Sequence, residues 1–205
     1  MTEPKQNIVF FDFDGTITKN DTFIDFIIFN FGLTKYLFGL VFLSPVLLLY
    51  KIKIISNQYA KQKFFSLYFK NMSIKKYKNM VDKYIDERVP SILKKEAIEK
   101  LNEHKYKNDY IVIVSASFNL LINRFAQKYN FDKSISTILE VKNNKITGQF
   151  VGDNCYGMEK VNRIKKEIAL RNFNLIYAYG DSKGDIPMLK IANHPFLNYT
   201  EYSQK

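Results

Sequence analysis

The stretch "NIVFFDFDGT" (7–16) constrains the fold more than any other part of the chain. A short apolar run that ends in Asp12, Phe13, Asp14 and a glycine reads as a buried strand with polar groups at its carboxyl end. Side chains two apart on a strand share a face. Asp12 and Asp14 are therefore expected to point one way while Phe11 and Phe13 pack the other. Two carboxylates held that close repel each other unless a cation or a shared proton intervenes.

The layout returns twice. "YIVIVSAS" (110–117) is a β-branched run stopped by small residues, and "LIYAYGDSKGDIPMLKIA" (175–192) runs from strand through a Gly-Asp loop into a helix. Helical patterns fill Thr22 to about Asn71, then 74–107 with a break at Pro90, then "FNLLINRFAQKY" and "EKVNRIKKEIALRN". "STILEVKNNKITGQFVG" (136–152) alternates about "KNNK" as a β-hairpin, and "PFLN" fits a last short strand. Strands alternating with helices imply an α/β fold, a doubly wound, Rossmann-like parallel sheet. The helices at 17–104 interrupt it after the first strand, so 1–16 and 105–205 are expected to form the α/β core and 17–104 an inserted helical cap. Such a cap covers the carboxyl edge of the sheet, where ligands of open α/β folds bind.

With 46% apolar and 16% aromatic residues the chain can bury a core. Its one cysteine, Cys155, allows no internal disulfide and fits a reducing compartment. The start "MTEPKQ" lacks the charged-then-apolar layout of a signal peptide. A cytoplasmic location is expected. The net charge of +11 is uneven: no acidic residue lies between Asp25 and Asp82, a span that holds nine lysines. Such a segment attracts anionic partners, or it is simply a solvated face. Nucleic-acid binding is not expected, because no recognised binding motif accompanies the charge. Nothing in the chain sets an oligomeric state.

Three strand ends deliver polar groups to one edge: Asp12 with Asp14, Ser115 with Ser117, and Asp181 with Asp185. Lys160 joins them from the start of its helix. Carboxylates without His or Cys companions suit a hard, oxygen-liking cation, magnesium first. Ser115 and the backbone N–H groups after it, beginning with Ala116, are an anion site near a helix start. Together these groups suit phosphoryl transfer by positioning and charge neutralisation. Ser117 and Asp185 also fit helix capping. Cys155 reads as a packed residue, and His104 and His194 receive no role.

Asp-x-Asp-Gly-Thr, the serine after the second strand, the lysine, and Gly-Asp-x-x-x-Asp resemble, in order, the four motifs of the haloacid dehalogenase superfamily. The insert after the first motif is similar to the cap of its phosphoserine-phosphatase-like branch, and "VSAS", "ITGQFVGDNCYG" and "EKVNRI" look closest to subfamily IB hydrolases. The resemblance implies a magnesium-dependent phosphatase. Asp12 would be the nucleophile that forms an aspartyl-phosphate, and Asp14 the general acid and base whose backbone carbonyl touches the metal. Asp12 and Asp181 would ligate magnesium with Asp185 in support, while Ser115, Ala116 and Lys160 hold the phosphoryl group. Magnesium would then be what reconciles the paired carboxylates.

The substrate is read from the cap. Phosphoserine phosphatases grip the substrate ammonium with an acidic residue nine after the nucleophile and its carboxylate with a cap arginine. Here Asp21 stands at that place, where it also fits a helix N-cap, and Arg88 is the only arginine between 16 and 105. A phosphorylated small molecule is the first expectation. The uncharged run "YLFGLVFLSPVLLLY" (36–50) raises another. It is shorter than the ~20 residues that span a bilayer and is expected to be a buried hairpin of cap helices. The alternative is a peripheral contact of 36–78 with an anionic membrane and a lipid phosphate substrate. That layout resembles bacterial phosphatidylglycerophosphate phosphatases of the superfamily.

Overall fold

The computed structural model describes residues 5–203. Seven strands build one sheet: β1 (Ile8–Phe11), β2 (Tyr110–Phe118), β3 (Lys133–Lys142), β4 (Lys145–Val151), β5 (Ile176–Gly180), β6 (His194–Leu197) and β7 (Thr200–Glu201), in the order β4-β3-β2-β1-β5-β6-β7. The five inner strands are parallel; β4 and β7 close the edges antiparallel. The expected hairpin turns at Asn143 and Asn144, whose positive φ values of 49° and 58° fit a tight two-residue turn. Its first strand reaches back to Lys133 and joins the main sheet.

Alternation along β1 divides the core in two. Val9 and Phe11 face one cluster with Ile111, Ile113 and Tyr179, while Ile8 and Phe10 face another with Val112, Val114 and Ala178. Both sides of a parallel sheet are covered, as the near-continuous apolar runs of β1 and β2 require. Helices α9 (Met158–Glu167) and α10 (Ile186–Leu189) cover the second side. Helix α9 stops at Glu167 and not near Asn172, because Ile168 turns extended and buries against Ile8 and Phe10. Helix α8 (Asn119–Lys128) packs on the first side with α7 (Lys95–Tyr106). Within α7, His104 is buried between Asp109 (2.7 Å) and the Tyr179 hydroxyl (2.9 Å). Ala97 and Leu101 are buried on the same face of α7 as His104.

The insert comprises α1 (Thr22–Phe31), α2 (Leu33–Phe42), α3 (Ser44–Lys51), α4 (Asn57–Phe69), α5 (Ile74–Lys83), a π turn at Tyr84–Arg88 and α6 (Val89–Ile92). Aromatic rings weld it to the sheet. Phe118 at the end of β2 packs at a tilt on Phe65 (4.5 Å between centroids) and edge-on to Phe23 (5.1 Å), and Phe65 reaches Phe150 of β4 at 6.1 Å. Farther out, Phe26 packs among Phe69, Tyr77 and Tyr84.

The 36–50 run departs from its buried expectation. Only Gly39 and Leu43 are buried there. Gly32 (φ 86°) ends α1, and the chain turns by 118° into α2, which packs Tyr36 and Leu40 on the core and leaves Phe38, Val41 and Phe42 in water. Among the described residues no single helix is long and apolar enough to cross a membrane.

Arg88 of the π turn grips Asp25 of α1 with two hydrogen bonds of 2.9 and 2.7 Å. Partial burial works against the Asp25 carboxylate, but Arg88 and Asn20 outweigh it and hold the pKa below the ordinary value. A depressed pKa stabilises the fold above the unfolded value, about 3.9, and the contribution is lost as pH falls through the folded value. Arg88→Ala is expected to lower the urea midpoint at neutral pH and to converge with the parent chain in acid. Phe65→Ala should cost about 3–5 kcal/mol, measured by the same unfolding curves.

Candidate active site

The strands β2, β1 and β5 end side by side, and the chain leaves β1 toward β2 on one side while β5 arrives on the other. A crevice opens at such a reversal of strand order. Into it project Asp12, from the end of β1, and Asp181, from the end of β5. Gly15 makes the close approach of these loops possible: it sits at φ 81°, and a Cβ there would run into the Asp181 carboxylate.

Lys160 is the centre of the charge arrangement. Its ammonium, almost fully buried, donates to Asp12 Oδ1 at 2.5 Å, Asp185 Oδ1 at 2.6 Å and the Val114 carbonyl at 3.0 Å. All three donors of the ammonium are thereby used. Burial alone would lower the Lys160 pKa, but the Asp12 and Asp185 charges outweigh it and raise it. Asp185 is held below the ordinary value: burial opposes this, while Lys160 and the Ser182 hydroxyl (2.8 Å) and N–H (3.0 Å) enforce it. Burial lifts Asp12 to about 7 against the pull of Lys160, with the Asp185 and Asp14 charges adding to the lift. One cation serves a crowd of carboxylates. Carboxylate oxygens of Asp12, Asp181 and Asp185 lie within 4.8 Å of one another, close enough for the three to hold a metal ion. The all-oxygen donor set suits a hard divalent cation.

Asp14 faces the other side of the crevice. Its Oδ1 accepts from the Thr22 N–H (2.7 Å) and hydroxyl (2.5 Å), and its Oδ2 from the Ser117 hydroxyl (2.6 Å). Burial and the nearby Asp21 charge raise its pKa in spite of these donors. Ser117, open between capping and chemistry from sequence, thus orients Asp14. Ser115 is fully buried, and its Oγ accepts from the Ser117 N–H at 2.9 Å. Ala116 lines the cavity and its carbonyl accepts from Lys61 at 2.8 Å. Asp21 caps α1 by accepting from the Phe23 and Ile24 N–H groups (2.9 and 3.2 Å) and also borders the cavity.

Lys61 had no individual signal among nine lysines. Helical spacing could have found it, since Lys61 and the buried Phe65 are four apart and share a face of α4. Its ammonium lies 5.3 Å from the Phe118 ring centre, and burial lowers its pKa. Thr16 is also part of the site; its hydroxyl donates to Asp12 Oδ2 at 3.1 Å. Cys155 is buried, its thiol pushed up to about 11 by burial, which leaves it inert as a nucleophile. Above the carboxylates a cavity of about 400 Å³ is bounded by Phe23, Tyr36, Leu40, Leu47, Tyr50 and Phe64 of the cap.

The haloacid dehalogenase-like hydrolase family matches residues 9–190. The chain belongs to that family. It is 32% identical over 189 residues to protein CicA of Caulobacter vibrioides, covering 91% of this chain and 83% of that protein. With the phosphoserine phosphatase of Methanocaldococcus jannaschii it shares 26% over 197 residues, covering 93% and 84%. A substrate-bound phosphoserine phosphatase structure superposes with a TM-score of 0.66 at 25% identity, covering 94% of this chain and 85% of that one. A protein of unknown function from Bordetella pertussis Tohama I shares the fold with a TM-score of 0.81 at 19% identity, covering 94% and 90%. These similarities put the chain on the phosphoserine-phosphatase-like branch, and it is an enzyme, a hydrolase of the phosphatase kind.

Removing the Lys160 charge would leave Asp12 and Asp185 buried without a counterion. Lys160→Met is expected to cost about 3–5 kcal/mol at neutral pH in urea unfolding, with the loss shrinking in acid as the two carboxylates take up protons.

Proposed function

We propose that the protein is a magnesium-dependent phosphatase that hydrolyses a phosphomonoester through an aspartyl-phosphate on Asp12. The observation that carries this reading is the convergence of Asp12, Asp14, Lys160, Asp181 and Asp185 on one sheet edge beneath the cap.

Lys160 holds Asp12 Oδ1 and the Thr16 hydroxyl donates to Oδ2, which fixes the carboxylate where it borders the cavity. Its attack on phosphorus forms the P–O bond to aspartate as the bond to the leaving alcohol breaks. Asp14, aimed by Thr22 and Ser117 and with its pKa raised, delivers a proton to the departing alkoxide. The ionised Asp14 then takes a proton from water, whose oxygen attacks the aspartyl-phosphate and releases inorganic phosphate and free Asp12. Lys160 keeps Asp12 oriented through both displacements. Ala116, which lines the cavity, offers its backbone N–H to the phosphoryl oxygens, while the Ser117 N–H is already given to Ser115 Oγ. Asp12, Asp181 and the Asp14 carbonyl, with Asp185 in support, would hold magnesium, which would supply positive charge to keep Asp12 ionised and neutralise the phosphoryl oxygens.

Recognition of the leaving alcohol falls to the cap. Arg88 is committed to Asp25 and lies outside the cavity lining, so Lys61 is the cationic group that the cap brings to the pocket. A lysine is a point charge without the two-pronged fit of arginine to a carboxylate. The rest of the cap lining is chiefly apolar or aromatic. This favours an alcohol bound by apolar contact over phosphoserine.

With magnesium and para-nitrophenyl phosphate, the parent chain is expected to release phosphate, and EDTA to stop it until magnesium is restored. Asp12→Asn should fall to the uncatalysed rate. An undiminished rate in that variant would sink the mechanism. Asp14→Asn should retain slow phosphorylation by an activated ester and accumulate the acid-stable, hydroxylamine-sensitive phosphoprotein.

A further inference from the structure

Helices α2 and α3 and the turn that follows them leave large apolar side chains in water. Phe38, Val41, Phe42, Leu48, Ile52 and Ile54 are between 55% and 72% exposed, and they follow one another within 17 residues (38–54) of continuous chain. Single exposed apolar side chains are ordinary, but contiguous patches mark interaction sites. The two helices hold ten and eight residues and meet at Leu43, just before Pro45. At 1.5 Å per residue they are about 15 and 12 Å long, well short of a bilayer's ~30 Å hydrocarbon core. Their geometry is that of a segment lying along an interface.

Charge selects the occupant. No acidic residue lies between Asp25 and Asp82, and Lys35, Lys51 and Lys53 stand exposed beside the apolar side chains. An apolar face bordered by lysines, in a stretch of chain that carries no carboxylate, complements an anionic bilayer surface. The opposite faces of the same helices carry Tyr36, Leu40, Leu47 and Tyr50, which line the cavity over Asp12 and Asp14. One pair of helices thus borders both the apolar surface and the reaction site.

We propose that α2 and α3 dock the protein on an anionic lipid bilayer, and that the substrate is a phosphomonoester with an aliphatic chain drawn from that surface into the cavity. The substrate half of this inference rests on the phosphatase reading of the site; the docking half does not. A lipid would keep its chain against Leu40 and Leu47 while its phosphate reached Asp12. Lys61, at the inner end, would meet the negative charge of the headgroup.

The test uses the full chain and vesicles of phosphatidylcholine with or without phosphatidylglycerol. In flotation, the parent chain is expected to rise with the anionic vesicles, less with the neutral ones, and less at high salt. The triple variant Phe38→Asp, Val41→Asp, Phe42→Asp changes side chains outside the cavity lining. It should lose vesicle partitioning by about a hundredfold or more. It should also lose turnover of dodecyl phosphate incorporated in those vesicles, and yet hydrolyse para-nitrophenyl phosphate at the parental rate. A parent chain that stays in the aqueous phase overturns the docking. So does sedimentation showing a parent dimer and a monomeric variant, because a second copy then covers the face. If the parent floats but the variant turns over vesicle-borne dodecyl phosphate as fast as the parent, the substrate half is overturned. If the parent floats and hydrolyses neither ester, the docking is supported and the phosphatase reading is the one that fails.

Discussion

Everything at the sheet edge depends on one buried ammonium. Lys160 gathers Asp12, Asp185 and the Val114 carbonyl from three different segments, so β1, β2 and the loop after β5 cannot drift apart without leaving a charge unpaired in the interior. Removing two carboxylates from water is unfavourable by several kcal/mol each. A core built for stability alone would not contain them. The compensation comes from short charged hydrogen bonds, from the Ser182 donors that complete Asp185, and from helix α9, which presents Lys160 from its first turn. Because the ammonium spends all its donors on protein atoms, the arrangement is rigid before any ligand arrives. Preorganised charge of this kind needs little rearrangement when negative charge builds on a bound phosphoryl group.

The carboxylate edge was legible in the sequence because its signal is chemically rare. Aspartates at the ends of apolar strands conflict with burial, and Asp12, Asp14 and Asp181 each stand where the chain leaves a strand. The sheet was legible for a related reason: β1 and β2 are apolar on both faces, and only a strand covered on both sides explains that. Other features were hidden by ordinary residues. Lys61 looked like eight neighbouring lysines, and its entry into the pocket depends on how α4 rolls against Phe118, a tertiary fact. Helix α7 carried the charged pattern of its neighbours, yet His104 and Leu101 bury on the sheet. Ser117 suited a cap equally well; its bond to Asp14 joins residues 103 apart in sequence.

The run at 36–50 shows a limit of hydropathy itself. Leu, Val and Phe prefer any medium to water, and a protein interior and a lipid layer reward them alike. A count of apolar residues therefore could not separate a buried hairpin from an exposed one. What decides the matter is geometry: after the turn at Gly32, α2 and α3 pack one side on the core through Tyr36, Leu40, Leu43, Val46 and Leu47, and their other side faces water. Phe26, Phe65, Phe69 and Tyr77 pack on one another, while Phe38 and Phe42 stand exposed on the far side of α2.

That same aromatic cluster determines how the site can open. Phe118 belongs to the sheet, yet its ring is held between Phe23 and Phe65 of the insert, and Phe150 anchors Phe65 from β4. A cap that swung away as one body would have to pull these rings out of a packed interior. The cavity over the carboxylates is thus walled, on the side of Phe23 and Phe64, by rings that can shift only if the packed interior shifts with them.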